Sequence, residues 1–533
     1  MNDSSPKVTL SLDKKRMLRG SIFLTLSPVA AFFLGLFISI LIADLIPPTN
    51  YGVFTWFNLL NSFLVTLVPF RLSGAISRFL AVSKGAEKQD EVNALLKTNT
   101  VLTLLLVPIG GVLTFILTPL ILNAIPGISG LYSILDVTIF ALAIMCLLLS
   151  DFTVSALKGI QEFNKVGIAQ FIANTIGQGA VIFLLIFGVA IQGNVALGVL
   201  ALIAKWAIVA LLTAVMLILS VRQIWTLRGK FAPLKPLVKY AFPVVISFLF
   251  AFFFSEFLVR YFLNPFATEL GLYGFAVRMV TFINALTIGF YSALVVYYAQ
   301  AYGKSDAKSL ENELRWTLKI SLFLFLPLII GTVGLAPSFF LLLLPDYYWA
   351  YQYFVILMGQ VFFMLFNKPF SQVLNALART RTVLIIRIIS SIISGFLMFF
   401  FFVYGSFFVI LGLIDNPLLL IVGGYASSTF FAVLLSAFII KRYVRISLGI
   451  RQVVPLVAIG LVIIPSAVFI HLLYLPPLVE FFSVFIASTL IYLLPIRHFR
   501  LISEIEIRKA AQFLPRRMAT PFANFVVRLF VRS

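Results

Sequence analysis

Long apolar runs alternate with short segments along this chain, and all but four of its 40 Lys and Arg residues lie in one alternating set of those segments. A helix needs roughly 20 apolar residues to cross a bilayer. About fourteen runs qualify: 20–43, 53–70, 98–122, 134–157, 166–189, 196–220, 240–262, 273–301, 320–343, 353–375, 385–410, 418–440, 455–474 and 478–496. The segments without Lys or Arg are 44–52, 123–133, 190–195, 263–272, 344–352, 411–417 and 475–477.

The basic set includes both ends of the chain and flanks such as 71–97 and 379–387. Cytoplasmic loops of membrane proteins carry the excess of Lys and Arg. The pattern therefore predicts an all-α, multi-pass protein of the plasma (inner) membrane, with about 14 transmembrane helices and cytoplasmic N- and C-termini.

Composition excludes several classes of protein. The 533 residues are 61% hydrophobic and 11% charged, which no soluble domain of this length matches. The net charge of +21 does not indicate a nucleic-acid partner, because the basic residues separate apolar runs and form no basic domain. The chain carries one cysteine, Cys146, so no intrachain disulfide is possible. The N-terminus is polar up to Arg19 and shows no cleavable signal pattern.

The sequence offers no catalytic constellation. It contains no HExxH, GxSxG or P-loop motif and no cluster of metal ligands. The segments on the outer side are also too short to carry a catalytic domain. We therefore expect a non-enzyme with no catalytic residues, no metal and no cofactor.

The first twelve helices are predicted to be two copies of one six-helix unit. Tyr51-Gly52 follows the first helix as Tyr273-Gly274 follows the seventh, and Pro108 matches Pro327 at nearly the same offset. Six helices per copy preserve the orientation, so the repeats are parallel and a cavity between two lobes is expected near mid-membrane. The predicted divisions are a cytoplasmic N-terminus 1–19, an N-lobe 20–220, a basic cytoplasmic linker 221–239, a C-lobe 240–440, helices 13 and 14 in 455–496, and a cytoplasmic amphipathic basic tail 497–533.

Four basic residues lie inside apolar runs: Lys205, Arg260, Arg278 and Lys368. A cation in hydrocarbon costs roughly 2.5–3.5 kcal/mol on insertion scales, so each is a candidate for binding an anionic headgroup. Lys205 lies near the midplane, where either a water-filled cavity or a partner between helices would explain it. Lys368 and Arg260 are close enough to the membrane surface for their side chains to reach water.

Glu256 and Arg260 are four residues apart, a spacing that allows an ion pair within one helix; Glu256 is also a possible coupling residue. Arg71 and Arg78 are seven apart at the end of the second run, hence on one helix face. They are either a headgroup site at the inner mouth or ordinary basic flanks. The predicted interior is net basic, which suits an anion better than a cation.

Five segments carry a resemblance to a known family. LIPPTNYGVF (45–54), RLSGAISRFLAVSKG (71–85), SALKGIQEFNKVGI (155–168), SEFLVRYFLNPFATELGLYGFAVRM (255–279) and NALARTRTVL (375–384) resemble the polysaccharide-exporter branch of the multidrug/oligosaccharidyl-lipid/polysaccharide (MOP) superfamily, which includes the O-antigen and lipid-linked oligosaccharide flippases. The resemblance implies two six-helix lobes in a V shape like that of the MATE transporters, plus two C-terminal helices. It also implies that arginines in the cavity contact phosphate, which supports Arg71, Arg78, Arg260 and Arg278.

The function expected from this resemblance is the flipping of a glycan on polyprenyl phosphate or pyrophosphate from the inner to the outer leaflet by alternating access. Such transport would serve cell-surface polysaccharide or glycoprotein biosynthesis, with the bilayer and glycan-assembly enzymes as partners. The first alternative is a multidrug/cation antiporter of the same superfamily, which needs an essential carboxylate. The second is a membrane glycosyltransferase or polymerase, which the short outer segments disfavour.

Overall fold

The computed structural model describes residues 34–441 and 476–498, apart from short gaps, and the isolated positions 470, 504, 521 and 524. The gaps are 86, 126–127, 129, 161, 222–224, 227–229, 304–306, 378 and 411–415. The start of the first predicted run, nearly all of the thirteenth and nearly all of the tail 497–533 lie outside the described residues.

The described residues form fourteen helices and no β-strand. They are α1 Leu34–Leu45, α2 Pro48–Leu67, α3 Leu72–Gly85, α4 Gln89–Asn123, α5 Ile134–Gly159, α6 Phe163–Leu185 with a π-helical continuation Ile186–Ile191, α7 Val195–Ser220, α8 Leu234–Leu263, α9 Ala267–Gly303, α10 Ala307–Leu343, α11 Ala350–Ala376, α12 Thr380–Ile410, α13 Leu418–Ile440 and α14 Pro477–His498. Helix α8 contains a π-helical turn, Phe252–Phe257.

In the described part of the chain, nine helices are long and apolar enough to cross a membrane. Helices α2 and α3 together form a tenth span that is bent by 47°. Large apolar side chains cover the outer surface of these helices, as on α4 at Leu104, Leu105, Ile109 and Val112. The predicted all-α integral membrane fold is thus confirmed, and a total of about 14 spans is consistent with it.

Several helices begin earlier than the apolar runs do. Helix α4 begins at Gln89, and α8 begins at Leu234 inside the segment predicted as a linker. In the first turns of α4 the apolar positions Val92, Leu95 and Leu96 are buried while their polar neighbours stay exposed. An amphipathic pattern of this kind continues a helix beyond the hydrocarbon, where hydropathy alone would end it.

Helices α4 and α10 support the predicted internal repeat. Each contains two prolines, Pro108 and Pro119 in α4 and Pro327 and Pro337 in α10, at nearly equal spacing. Proline removes a backbone hydrogen bond inside a helix, so two such interruptions at matching places are a structural signature of the unit. The two helices occupy equivalent places in the two copies.

The helices pack as two lobes. In the first, α5 packs against α3, α4 and α7, and α6 packs against α7. In the second, α11 packs against α9, α10 and α13, while α12 packs against α8 and α13. Helix α14 packs against α10 on the outside of the second lobe. The main contacts between lobes are α2 with α9 and α3 with α8.

The two ends of the bundle differ in their connections. One end, here the short-loop end, carries the connections around Ile46, Asn264 and Tyr347. The opposite, basic end carries the connection from α7 to α8, whose Ala232 N–H donates to Thr98 Oγ at 2.9 Å. This contact holds the inter-lobe connection against the first lobe.

Candidate functional site

Glycines bring the two lobes into backbone contact near the short-loop end. A Cβ atom added to Gly271 of α9 would lie 1.7 Å from the carbonyl oxygen of Pro48 on α2. A Cβ added to Gly274 would lie 1.9 Å from Thr55 Oγ. Small residues allow this close approach of helices in a membrane. The Tyr51-Gly52 and Tyr273-Gly274 pairs that mark the repeat lie on these two helices, so the repeat axis passes between them.

Polar bonds reinforce this contact. The Tyr347 hydroxyl donates to the Ile46 carbonyl oxygen at 2.7 Å, and Trp56 Nε1 donates to Asn264 Oδ1 at 3.0 Å. Burial raises the pKa of the Tyr347 phenol, so this group stays a neutral donor. The rings of Tyr51 and Tyr347 meet edge to face at 6.2 Å. The lobes are therefore joined at the short-loop end.

Arg278 lies next to this junction on the side toward the basic end, on the face of α9 that meets the first lobe. Its Nε donates to Ser39 Oγ of α1 at 2.9 Å, and its guanidinium lies 5.5 Å from the Phe282 ring centroid. Its Nη2 is buried and has no hydrogen-bond partner among the described residues. A helical rise of 1.5 Å per residue puts Arg278 about 16 Å from the start of α9. An unused guanidinium donor at this depth is a ready anion contact.

Lys205 joins Arg278 from the first lobe. It is partly buried on α7, and its charge interacts unfavourably with that of Arg278. In the described part of the chain, no carboxylate pairs with Lys205. Whether Lys205 faces a water-filled cavity or a partner between helices stays a prediction.

Glu256 and Arg260 form the ion pair that their spacing predicts. Arg260 Nη1 donates to Glu256 Oε2 at 2.7 Å and to the Glu256 carbonyl oxygen at 2.8 Å. Glu256 Oε1 accepts from the Tyr425 hydroxyl of α13 at 2.7 Å. The Arg260 side chain is 4% exposed, whereas that of Glu256 is 40% exposed. Accessible space thus reaches Glu256, but both of its oxygens are already bonded.

Arg71 and Lys368 lie in the half of the bundle nearer the basic end. Arg71 stands at the bend between α2 and α3, and its guanidinium lies 5.9 Å from the Phe248 ring centroid of α8. Arg78 lies over Tyr240 of the same helix at 4.5 Å. Both arginines therefore contact α8, although Arg71 lies outside α3 in a turn with a φ of 54°, so the helical spacing that predicted one shared face does not apply to it. Arg78 lies further toward the basic end than Arg71.

Arg387 is a site residue that the sequence did not single out. It is exposed, and its charge interacts with those of Arg71, Lys368 and Glu256, on three other helices. The sequence assigned it to the flank 379–387, but it lies seven residues into α12, about 10 Å along the helix axis. The signal was present in IIRII (385–389), where isoleucines precede and follow the arginine.

Asp151 is a carboxylate on α5 of the first lobe that contacts α3. Its Oδ2 accepts from Ser73 Oγ at 2.5 Å, and it interacts favourably with the charges of Arg71 and Lys158. Electrostatic interactions link Lys205 with Arg278, and the newly found Arg387 with Arg71 and Lys368. Arg260 is hydrogen-bonded to Glu256, and Arg78 lies over Tyr240.

The fold and the site define a multi-pass membrane protein whose described helices form two repeated lobes, with Arg278 at the interface between them. The sequence profile of the polysaccharide biosynthesis protein family matches residues 17–296, more than half of the chain. The chain belongs to this family. The MatE profile also matches residues 243–401. A search of curated proteins finds no match.

Solved structures show the same fold at low sequence identity. "Lipid II flippase MurJ, inward closed conformation" superposes with a TM-score of 0.62 and 15% identity, covering 88% of this chain and 98% of that chain. An inward-facing multidrug resistance MATE family transporter of the MOP superfamily gives a TM-score of 0.60 and 16% identity, covering 80% of this chain and 98% of that chain. A MOP superfamily transporter from Pyrococcus furiosus, for which a reverse polarity of the binding pocket is described, gives a TM-score of 0.55 and 16% identity, covering 80% of this chain and 96% of that chain. At 15–16% identity, these likenesses show a shared fold.

Proposed function

We propose that this protein flips a lipid-linked oligosaccharide, carried on polyprenyl phosphate or pyrophosphate, across the plasma membrane by alternating access. One observation carries the proposal: Arg278 has an unused guanidinium donor beside Lys205 at the lobe interface. The planar fork of a guanidinium suits phosphate oxygens, and a second cation nearby increases that attraction. A lipophilic cation would be repelled from this place.

The proposed direction follows from charge. If the basic end faces the cytoplasm, the closed short-loop junction leaves the cavity accessible from the inner leaflet. With the cell interior negative, outward movement of one negative charge is favourable by about 2.3 kcal/mol per 100 mV. Both termini would then be cytoplasmic, close to enzymes that assemble the glycan.

The predicted residues take different parts in this proposal. Arg278 and Lys205 would bind the phosphate, and Arg71, Arg78 and Lys368 would guide the headgroup from the basic end. Arg260 is hydrogen-bonded by Nη1 and 4% exposed, so its proposed part is to hold Glu256 in place. Loss of Arg260 would affect the substrate only indirectly.

The multidrug/cation antiporter is supported by one observation, the 40% exposure of Glu256. A cation arriving there would have to displace Arg260 or Tyr425, because each occupies one carboxylate oxygen. Glu256→Gln separates the two functions. The antiporter requires that this variant abolish resistance to lipophilic cations, whereas a flippase would export no such drug in either form.

Native mass spectrometry of gently purified protein tests the flippase proposal. We expect a polyprenyl-linked glycan to accompany the wild type and Lys235→Gln, and to be lost from Arg278→Gln. Lys235 is a matched control because it is exposed at the start of α8 and its loss removes the same charge. Retention of the glycan by Arg278→Gln would contradict the phosphate role. Phospholipid alone in every sample would contradict the flippase.

A further inference from the structure

A cavity of about 720 Å³ opens at the basic end of the bundle, between the first lobe and the beginning of α8. Here called the connector cavity, it is lined by Phe79, Asp90, Asn93, Lys230, Phe231 and Leu237, among other residues. Its volume is typical of ligand pockets, which measure roughly 300–1,000 Å³. Neither Arg278 nor Lys205 lines it, so the proposed substrate site leaves the connector cavity without a ligand.

We propose that the connector cavity binds one phospholipid from the leaflet at the basic end, a phospholipid whose headgroup carries a primary ammonium beside its phosphate. The ammonium would donate to the Asp90 carboxylate, and the phosphate would accept from the Lys230 ammonium. The protein retains this lipid and does not transport it, so this role goes beyond the proposed function and does not depend on it. The bound headgroup would hold the connection between the two lobes in place.

Contacts with α4 hold the connection from α7 to α8 along the cavity. The Ala232 N–H donates to Thr98 Oγ at 2.9 Å, and that hydroxyl donates in turn to the Ala94 carbonyl oxygen at 2.9 Å. Next to this bond, Lys97 Nζ lies 4.2 Å from the centroid of the Phe231 ring. Two walls of the cavity, α4 and the connection, are therefore held at a fixed spacing.

Two side chains of opposite charge line this cavity. Asp90 and Lys230 are exposed, and neither side chain forms an ion pair or a hydrogen bond with another described residue. The neighbouring Glu91 is bonded, since its Oε2 accepts from Ser83 Oγ and its Oε1 accepts from Lys88 Nζ, each at 2.9 Å. The helix dipole favours an acidic residue in the first turn of α4, which accounts for Asp90 but not for Lys230. A ligand that carries both signs of charge matches the two free groups.

An apolar surface leads from the cavity toward the membrane interior. Phe231 at the cavity wall is exposed, and so are Leu234, Val238 and Phe242, which follow at i, i+4 and i+8 along one face of α8. In a membrane-spanning bundle, an exposed apolar face of this kind contacts lipid chains. The acyl chains of a phospholipid would lie against this face while its headgroup occupies the cavity. This continuity favours a membrane lipid over a soluble molecule with the same two charges.

The depths of these features also match a phospholipid. Helix α4 rises about 10 Å from Asp90 to Lys97, the residue that contacts the Phe231 ring. The headgroup layer of one leaflet is roughly 5–8 Å thick. When Phe231 is placed at the edge of the hydrocarbon, Asp90 therefore lies at the outer side of the headgroups. Lys230, which precedes Phe231, then lies near the phosphates.

The class of headgroup follows from the carboxylate of Asp90. A primary ammonium has three N–H donors and forms a charge-assisted hydrogen bond with a carboxylate. A choline headgroup keeps the positive charge but has no N–H, and a glycerol headgroup has no positive charge. Phospholipids with these three headgroups therefore separate the effect of the hydrogen bond from the effect of the charge.

Native mass spectrometry of the full-length protein tests this assignment. The protein is released from nanodiscs that contain phosphatidylethanolamine, phosphatidylcholine and phosphatidylglycerol in equal amounts and with the same acyl chains. The lipid that stays bound after bulk lipid has detached is then counted. We expect the wild type to retain phosphatidylethanolamine about tenfold more often than phosphatidylcholine, because one hydrogen bond between charged groups changes a binding constant by about tenfold or more.

Five variants assign the contacts. Asp90→Asn should reduce the preference for phosphatidylethanolamine about tenfold, whereas Asp90→Glu, which keeps the charge, should retain most of it. Lys230→Gln should weaken retention of phosphatidylethanolamine and phosphatidylcholine equally, since both carry the phosphate. The matched controls are Asp346→Asn at the short-loop end and Lys441→Gln at the end of α13, which remove the same charges from exposed positions outside the cavity. Both controls should behave as the wild type.

Hydrogen exchange measures whether the lipid holds the connection. The Ala232 amide, which donates to Thr98, should exchange severalfold more slowly in phosphatidylethanolamine nanodiscs than in phosphatidylcholine nanodiscs. Asp90→Asn should remove that difference. Because Asp90 is exposed, this variant should keep the wild-type melting temperature in phosphatidylcholine, which shows that loss of folding is not the cause.

Three results would overturn the lipid site. The first is equal retention of the three lipids by the wild type. The second is retention of phosphatidylglycerol alone, which would show only the attraction of basic flanks for anionic lipid. The third is a preference for phosphatidylethanolamine that survives Asp90→Asn, since the amine contact would then lie elsewhere. None of these measurements uses a lipid-linked glycan, so failure of the lipid site and failure of the flippase proposal are detected independently.

Discussion

Replacing Gly271 by alanine tests whether the junction of α2 and α9 controls access to the cavity. The added methyl group would lie 1.7 Å from the Pro48 carbonyl oxygen and 2.5 Å from the carbonyl carbon. Both are backbone atoms, so no side-chain rotation can relieve the overlap. To restore ordinary van der Waals contact, the two helices must separate by roughly 1–2 Å.

Separating α2 from α9 raises the free energy only of the conformation in which the short-loop end is closed. Overpacking of a tight interface costs typically about 1–3 kcal/mol. Because the contact exists only while the short-loop end is closed, the variant should shift the conformational equilibrium toward the open state by roughly 5- to 150-fold. The fold should persist, since the overlap concerns contact between lobes and not packing within one lobe.

Labelling by a membrane-impermeant thiol reagent measures the shift. A cysteine introduced at Thr55, which faces Gly274 across the junction, should be protected while the short-loop end is closed. We expect Gly271→Ala to raise its labelling rate severalfold. Gly359→Ala is the matched control, because an added Cβ there has no heavy atom within 4 Å. Equal labelling rates in Gly271→Ala and in the control would refute the gating role of this contact.

Three further predictions concern the interior. Ser39→Ala should weaken binding of the lipid-linked glycan severalfold, because it releases the Arg278 guanidinium, whereas Ser39→Thr should keep the wild-type affinity. Equal affinities of Ser39→Ala and the wild type would contradict a positioning role for Ser39. Arg260→Leu should lower thermal stability by about 2 kcal/mol, less than a fully buried pair, because Glu256 keeps 40% of its surface. The double variant with Glu256→Leu should recover most of that loss, and if it recovers none, the ion pair is not the cause. Tyr425→Phe should cost about 1–2 kcal/mol in unfolding measurements by removing one donor to Glu256, and an unchanged melting temperature would count against this bond.

Contacts between residues close in sequence were predictable. The pair of Glu256 and Arg260 follows from helical geometry, which places residues four apart on one face. The repeat was visible in matched residues such as Pro108 and Pro327, because equivalent helices need their interruptions at equivalent places.

Contacts between lobes were not predictable in the same way. The bond from Arg278 to Ser39 joins residues far apart in sequence, and nothing local specifies it. Arg387 was assigned to a flank because hydropathy places helix boundaries only to within a few residues. Its surroundings depend on how α12 packs against α8 and how α3 meets α8.

The sequence by itself determined that this chain is a multi-helix membrane protein built from a repeated unit. A helix can cross the hydrocarbon because its backbone hydrogen bonds are satisfied within the segment. The lengths of the apolar runs and the positions of the charged residues therefore indicate the membrane-spanning helices directly. Tertiary structure alone decided which side chains of distant segments meet, such as Arg278 and Ser39. These contacts depend on small residues such as Gly271 that let two helices touch, and they arise only when separate segments pack together.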